Sequence, residues 1–200
     1  KFIDRNIMDK MFPEKNHQGI AAEVSAKEYC DWEDILKKAD ERGEDPLILL
    51  LDSIEDPHNF GAIIRTAEAA GVHGIIIPKN RSVMLSETVA KTSAGALENI
   101  LISRVTNLSQ LIDKLKEKNV WIYGTDLKGQ SIYKGKISGA TAIVLGNESK
   151  GVGQNILKKC DAVITIPMIG QVNSLNVSVA TGVILFELLR QRLIDEKDGK

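Results

Sequence analysis

The feature that most constrains this chain is a regular alternation, from Pro46 onward, of short β-branched runs with segments of helical spacing. The strand-like runs are residues 47–52, 74–77, 99–105, 120–125, 142–145 and 162–166, and the helical segments are residues 61–70, 85–95, 108–118, 153–159 and 176–192. This alternation predicts an α/β fold, with a mostly parallel sheet covered by helices on both faces. Ligands of such sheets bind beyond the carboxyl ends of the strands. We therefore expect the site among three polar loops, at residues 55–65, 146–153 and 167–176.

The first 45 residues do not follow this alternation. Residues 32–42 have helical spacing and end at Gly43, which is a helix stop signal. Residues 19–24 have the pattern of a strand without a local partner, and the chain begins with Lys1 instead of methionine. We interpret residues 1–45 as the remnant of an amino-terminal domain with its linker, and residues 46–200 as the main domain.

Composition limits the possible partners. The hydrophobic share of 43% supports one substantial core, and the formal net charge of −1 gives no global basic field, so a nucleic acid would need a local basic patch. Cys30 and Cys160 are far apart, which argues against a disulfide framework or a zinc site and favours a reducing cytoplasm. The three histidines lack metal-ligand spacing, so no metal is expected. The longest apolar runs are too short to cross a bilayer, so no membrane partner is expected.

The most informative polar segment is Gln-Val-Asn-Ser-Leu-Asn-Val-Ser-Val-Ala, at residues 171–180. It places amides and hydroxyls where a buried helix should begin. Ser174 and Asn176 are both good helix caps, but one cap is enough. The surplus of polar groups therefore suggests a ligand.

Other motifs leave alternatives open. Residues 146–153 superficially resemble a phosphate-binding loop, but Lys150 precedes Gly151 instead of following it, which disfavours a nucleoside triphosphatase. No Gly-x-Gly-x-x-Gly triplet is present, which disfavours an NAD-binding domain. Glu148 taken alone is better explained as a solvated loop charge or as an acidic residue in the first turn of a helix. Arg65, among apolar neighbours, is either a surface group or a fixed cation beside the site.

Taken together, the three loops resemble the motifs of the SpoU (TrmH) family of knotted SPOUT methyltransferases. The first motif is Asp-Pro-His-Asn-Phe-Gly-Ala-Ile-Ile-Arg-Thr-Ala (56–67), the second is Leu-Gly-Asn-Glu-Ser-Lys-Gly (145–151), and the third joins Ile-Pro-Met (166–168) to Asn-Ser-Leu-Asn-Val-Ser-Val-Ala (173–180). The resemblance spans roughly residues 47–192. Residues 69–73, 75–79 and 104–108 look most like RlmB-type enzymes, which modify a guanosine of large-subunit ribosomal RNA. Residues 16–20 look like the last strand of the small RNA-binding domain of those enzymes.

The resemblance implies a carboxyl-terminal trefoil knot, S-adenosylmethionine as cofactor, and methyl transfer to a ribose 2′-hydroxyl of RNA. It also implies a homodimer in which each site borrows residues from the neighbour and the closing helix, 176–192, contributes to the contact. The residues implied to hold the cofactor are Leu145, Gly146, Ile166, Met168, Ser174 and Leu175. The implied catalytic group is Arg65, positioned with the substrate by Asn59, Glu148, Ser174 and Asn176. Because a guanidinium stays protonated, we expect Arg65 to stabilise the developing alkoxide instead of acting as a base.

Three alternatives stay open at this point: a tRNA 2′-O-methyltransferase, a catalytically silent RNA-binding protein of the same fold, and a nucleotide-binding enzyme of conventional doubly wound fold. Candidate contacts to the RNA backbone are Lys79, Arg81, Lys91 and Arg104. Each of these four is at least as well explained as a solvated surface charge.

Overall fold

The computed structural model describes residues 2–13, 17–21, 27–147 and 149–198. Within them the chain forms seven α-helices, six strands and one 3₁₀ turn. The elements are α1 (Arg5–Met11), α2 (Trp32–Arg42), β1 (Leu47–Asp52), α3 (Pro57–Ala69), β2 (Gly74–Pro78), α4 (Glu87–Thr92), the 3₁₀ turn (Ala96–Glu98), β3 (Leu101–Val105), α5 (Leu108–Glu117), β4 (Trp121–Ser131), β5 (Thr141–Gly146), α6 (Gln154–Leu157), β6 (Ala162–Thr165) and α7 (Val177–Asp198).

The six strands form one sheet in the order β3-β2-β1-β5-β4-β6, and every neighbouring pair is parallel. β1 pairs with β5 along its whole length, from Leu47 opposite Thr141 to Asp52 opposite Gly146. The strand order changes direction between β1 and β5, which is the place where sheets of this type bind ligands. The predicted parallel α/β fold is confirmed.

β1 shows why the sheet needs helices on both faces. Leu47, Leu49 and Leu51 belong to the core beneath α3 and α7, whereas Ile48 and Leu50 belong to the opposite core beneath α2 and α5. All five are at most 2% exposed. Burying an aliphatic side chain of this size contributes about 1.5–3 kcal/mol, so a continuous apolar run is stable only when both faces are covered.

Residues 30–43 pack on the sheet. Ile35 and Ala39 of α2 are fully buried, and the backbone N–H of Cys30 donates to the Ile102 carbonyl at 3.0 Å. The approach of α2 to the sheet is close, since a Cβ added to Gly74 would lie 2.5 Å from side-chain atoms of Ile35. The interpretation of residues 1–45 as a domain remnant stays a prediction.

The strand expected near residue 20 is wrong for the part of it that the structure describes. The Ile20 N–H donates to the His17 carbonyl at 2.9 Å, so residues 17–20 form a turn. Gln18 and Gly19 have φ values of +49° and +86°, which an extended strand does not accommodate. Residues 16 and 22–24 lie outside the described parts of the chain.

Helix α3 begins four residues earlier than the helical spacing predicts. Both carboxylate oxygens of Asp56 accept N–H donors, from His58 and Asn59 at 3.1 Å each, and Pro57 occupies the first helical position. The Asp-Pro pair is therefore a helix start, and not only a turn. As a result Asn59 lies in the first turn of α3.

Other boundaries also differ from the predicted ones. Helix α4 is short because Ala94 and Gly95 take φ values of +50° and +88° just after it. β4 runs to Ser131 through a register shift between Thr125 and Gln130. None of the helices in the described ranges is both long and apolar enough to span a membrane.

Helix α7 is hydrogen-bonded to the connection between β4 and β5. The side-chain oxygen of Gln191 accepts from the Ile137 N–H at 2.8 Å, and its amide donates to the Gly135 carbonyl at 3.2 Å. Arg192 donates to the Gly139 carbonyl at 3.0 Å and to the Pro46 carbonyl at 3.2 Å. These contacts hold the last helix beside a segment that precedes it by about fifty residues. The trefoil knot itself stays a prediction.

Candidate cofactor and active site

A cavity of about 410 Å³ lies at the carboxyl edge of the sheet, where β4, β5 and β6 end and α7 begins. Its floor is apolar and includes Ile164 and Ile184. All six residues that were predicted to hold a cofactor line it, namely Leu145, Gly146, Ile166, Met168, Ser174 and Leu175. Their role stays a prediction, but the structure brings them to one place from three separate segments.

The end of β4 supplies a wall that the sequence analysis missed. Thr125, Asp126 and Leu127 line the cavity beside the register shift in β4. The available signal was position, because β4 is parallel to β5 and its carboxyl end must lie at the same edge. The three polar loops predicted to form the site follow β1, β5 and β6, so they do not include the end of β4.

The loop after β5 is compact. A Cβ added to Gly146 would lie 2.1 Å from backbone atoms of Gly151 and Val152, so only glycine fits there. The Gly151 N–H donates to the Asn147 carbonyl at 2.7 Å and closes the loop. Glu148, which belongs to the same sequence motif, lies outside the described residues.

Asn59 and Asn176 form a polar pair beside the cavity. The Asn176 side-chain amide donates to the Asn59 side-chain oxygen at 2.9 Å. The other side-chain atom of Asn176, its oxygen, accepts from the Ser178 N–H at 3.0 Å and so caps α7. Ser174 is exposed and lines the cavity, so of the two candidate caps Asn176 is the one used.

Arg65 lies further along the same helix as Asn59. It is exposed, it does not line the cavity, and it lies six residues beyond Asn59 in α3. Six helical residues correspond to about 9 Å along the axis and a turn of about 240°. Thr66, the next residue, faces α7, since a Cβ added to Gly182 would lie 3.7 Å from its methyl carbon. Arg65 is therefore exposed on α3, the helix that packs against α7.

The outer side of α7 carries an apolar stripe. Val179, Phe186 and Leu193 follow one another at seven-residue spacing and are 52%, 51% and 50% exposed. Ile169, in the loop that borders the cavity, is fully exposed. A row of exposed apolar side chains of this kind is typical of a contact with another protein chain.

The thiols and the buried imidazole lie away from the cavity. Burial, with a smaller effect from Asp161, raises the pKa of the Cys160 thiol to about 11, so it stays protonated at neutral pH. His73 is fully buried, and its ring accepts from the Leu47 N–H at 3.0 Å. Across the described ranges, no group of three or more His, Cys, Asp or Glu residues is placed to hold a metal ion.

Comparisons with known proteins agree with this architecture. The chain is 45% identical over 193 residues to YacO of Bacillus subtilis (strain 168), which is named as a TrmH family tRNA/rRNA methyltransferase, and the match covers 96% of this chain and 77% of that protein. The SpoU methyltransferase AviRb from Streptomyces viridochromogenes, solved in complex with the cofactor AdoMet, superposes with a TM-score of 0.70 and 30% identity over 74% of this chain. A solved RNA 2′-O ribose methyltransferase superposes with a TM-score of 0.68 and 29% identity over 86% of this chain.

The chain spans 58% and 62% of those two solved proteins, respectively. The cofactor predicted for the family, S-adenosylmethionine, is the one bound to AviRb. The model of the SpoU rRNA methylase family matches residues 46–186, which include the whole sheet and the start of α7. On this evidence the chain belongs to the SpoU (TrmH) family of SPOUT methyltransferases.

Proposed function

We propose that this chain transfers the methyl group of S-adenosylmethionine to a ribose 2′-hydroxyl of RNA. The observation that carries the proposal is the meeting, at one cavity, of the segments that follow β4, β5 and β6, with the Asn59–Asn176 pair beside it. The cofactor and the RNA ribose would then lie at the carboxyl edge of the sheet, where the amino-termini of α3 and α7 also converge.

The residues present fit S-adenosylmethionine. The cavity volume is within the range of small-molecule sites, roughly 300–1,000 Å³. Leu145, Ile166 and Leu175 offer apolar surface for the adenine ring, and the glycine at 146 allows the loop after β5 to pack directly against the strand. Asp126 and Ser174 supply polar groups for the ribose hydroxyls and the amino acid end of the cofactor.

When it is bound, S-adenosylmethionine would supply a methyl group on a positively charged sulfur. The ribose oxygen would bond to the methyl carbon in line with the carbon–sulfur bond, which would break with its electron pair on the sulfur, and the hydroxyl proton would pass to a phosphate oxygen or to water. The residues of the chain must align the ribose oxygen and stabilise the charge that develops on it. We assign Asn59 and Asn176 to alignment through directional hydrogen bonds, together with Ser174 and Glu148. Arg65 stabilises the alkoxide and clamps the neighbouring phosphate, because a guanidinium is a cation with several N–H donors in a fixed fork.

We further propose that the chain acts as a homodimer and that Arg65 serves the site of the other subunit. Two observations support this arrangement. Arg65 is exposed on α3, the helix that packs against α7, and it does not line the cavity of its own chain. A two-fold contact through the stripe would bury Val179 and Phe186 and carry Arg65 to the edge of the partner.

Mixed subunits test this proposal. Arg65→Ala and Asn176→Ala homodimers should each be inactive, but after subunit exchange a mixture should recover roughly a quarter of wild-type activity, since half of the dimers then hold one intact site. The intact site combines Arg65 from one subunit with Asn176 from the other. Absence of recovery, with exchange verified by mass spectrometry, would show that both residues serve the same subunit.

Cofactor binding distinguishes a methyltransferase from a nucleotide-binding enzyme of conventional doubly wound fold. Calorimetry should give binding of S-adenosylmethionine and no binding of NAD or ATP. A chain that binds S-adenosylmethionine but leaves every tested RNA unmethylated would instead be the catalytically silent protein of this fold.

We propose a guanosine of large-subunit ribosomal RNA as the target, on the basis of the RlmB-like segments at residues 69–73, 75–79 and 104–108. The alternative is a tRNA, because the Bacillus subtilis relative is named for both substrates. Ribose-methylation mapping of ribosomal RNA and tRNA from cells with and without the gene decides between them. The RNA that lacks a ribose methyl group in cells without the gene is the substrate.

A further inference from the structure

Two residues at the end of β1 hold the loop that forms one wall of the cavity. One carboxylate oxygen of Asp52 accepts from the Gly153 N–H at 2.8 Å, and the other accepts from the Ser53 hydroxyl at 3.1 Å. Gly153 fits closely, since a Cβ there would lie 3.2 Å from the Asp52 oxygen. The carboxylate is thus oriented by its neighbour and ties the far end of the loop to the sheet.

The near end of the same loop is tied by Asn147. Its side-chain amide donates to the Ser53 carbonyl at 3.0 Å, and its side-chain oxygen accepts from the Ser149 N–H at 2.9 Å. Its backbone carbonyl accepts from the Gly151 N–H. Asn147 lines the cavity, but its side-chain hydrogen bonds serve the shape of the loop and its link to β1.

Ser53 adopts a backbone conformation that needs support. Its φ of +65° lies in the left-handed region, which is unfavourable for a residue with a side chain. This conformation directs the Ser53 carbonyl to Asn147 and turns the chain toward Asp56, which caps α3. The same link therefore fixes both the loop at 147–153 and the start of the helix that carries Asn59.

We propose that Asp52, Ser53 and Asn147 form a brace that positions the 147–153 wall for cofactor binding. This inference rests on the proposed function. Asp52 and Ser53 do not line the cavity, so they act through the loop, as positioning residues. Without the brace, the wall formed by Ser149, Lys150 and Gly151 must be ordered when the cofactor binds, and that ordering lowers affinity.

The substitutions that test the brace differ in which hydrogen bonds they keep. Asp52→Asn keeps an oxygen for the Gly153 N–H and an amide for the Ser53 hydroxyl, whereas Asp52→Ala keeps neither. Asn147→Asp keeps the acceptor for Ser149 but loses the donor to the Ser53 carbonyl, and Asn147→Ala loses both. Asp113→Asn, on α5, is the matched control, because it neutralises the partner of Lys159 on another surface.

Affinity for S-adenosylmethionine, measured by calorimetry without RNA, should fall about tenfold in Asp52→Ala, Asn147→Ala and Asn147→Asp, the loss expected for one or two hydrogen bonds. Asp52→Asn and Asp113→Asn should bind as the wild type does. In turnover, KM for the cofactor should rise more than kcat falls. Thermal unfolding of each variant verifies that the fold is intact.

Wild-type affinity in Asp52→Ala or in Asn147→Asp would overturn the brace. So would an Asp52→Asn variant as weak as Asp52→Ala, because the hydrogen bonds would then not explain the effect. Failure of the wild-type chain to bind S-adenosylmethionine would overturn the proposed function instead, so the two failures are distinguishable.

Discussion

Asn176 donates its side-chain amide to the side-chain oxygen of Asn59 at 2.9 Å, across 117 positions of sequence. The bond joins the first turn of α3 to the cap of α7, so two helix amino-termini lie side by side at the carboxyl edge of the sheet. Helix amino-termini carry partial positive charge and attract anions. The pair therefore marks a favourable place for an RNA phosphate or a developing alkoxide next to the cavity.

Two substitutions of Asn176 separate its structural role from its proposed role in the site. Asn176→Asp keeps the oxygen that caps α7 but cannot donate to Asn59, whereas Asn176→Ala loses both interactions. We expect Asn176→Asp to retain wild-type stability and to lose most methyl transfer. Asn176→Ala should also lose about 1 kcal/mol of unfolding free energy, the usual value of a helix cap. Chemical denaturation and methyl-transfer assays measure the two effects, and an active Asn176→Asp variant would contradict the assigned role.

Gly146→Ala should damage the cavity, because the added Cβ has no room between β5 and the loop. It would lie 2.1 Å from the backbone of Gly151 and Val152, and backbone atoms cannot rotate away. We expect a loss of about 1–3 kcal/mol of stability, the range for overpacking, together with loss of S-adenosylmethionine binding. Gly135→Ala is the control, since no atom lies within 4 Å of a Cβ there. Equal cofactor affinity in the two variants would contradict the expectation.

The strand positions were predictable from the sequence because the physical signal is local. A parallel strand buried on both faces must be a short apolar run, and residues 47–52 match the observed β1 without error. Helix α2 was equally clear, because Gly43 ends it with φ of +65°. The helix start at Pro57 was missed, since Asp-Pro is a signal both for turns and for helix caps.

The assembly of the site was less predictable. Asn59 and Asn176 meet only because α3 and α7 pack side by side, and helical spacing does not determine which helices are neighbours. The resemblance to a family supplied that grouping. The wall at Asp126 and the brace at Ser53 involve no motif and depend on the register between strands, which the sequence alone did not reveal.

Two of the four candidate basic residues remain suited to contact RNA at the edge near the cavity. Lys79 and Arg81 are exposed just after β2, whereas Arg104 donates to the Lys79 carbonyl at 2.8 Å and lies 5.0 Å from the centre of the Tyr29 ring. Arg104 therefore has an internal role. Lys91 is exposed, but it lies on the short helix α4 and does not directly follow a strand. We expect the double variant Lys79→Glu, Arg81→Glu to bind RNA more weakly. The slope of the logarithm of the binding constant against the logarithm of the salt concentration should become shallower by about 1.5.

The matched control for this pair is Lys37→Glu with Lys114→Glu, two exposed lysines on α2 and α5, which cover the other face of the sheet. Fluorescence anisotropy at several salt concentrations measures both the affinity and the slope. An equal loss in the control pair would mean that net charge, and not a local patch, governs binding.

Stability should depend on pH through His73. Burial lowers the pKa of this imidazole below its ordinary 6.5, against a smaller opposing effect of Glu44, whose carboxylate lies 3.0 Å from the second ring nitrogen. The Nδ1 atom of His73 accepts the hydrogen bond from the Leu47 N–H, and protonation of Nδ1 would break that bond. The unfolded chain thus binds this proton more readily than the folded one, so stability is complete above about pH 6.5 and falls as the pH is lowered toward the folded pKa.

His73→Asn isolates this contribution, because an amide oxygen can accept from the Leu47 N–H but does not titrate. Urea unfolding between pH 7.5 and 5 should give a steeper loss of unfolding free energy for the wild type than for the variant. The difference in slope should not exceed about 1.4 kcal/mol per pH unit, the limit for one proton. Parallel profiles would show that the buried imidazole titrates alike in both states, and a wild-type profile that rises on acidification would mean that Glu44 dominates over burial.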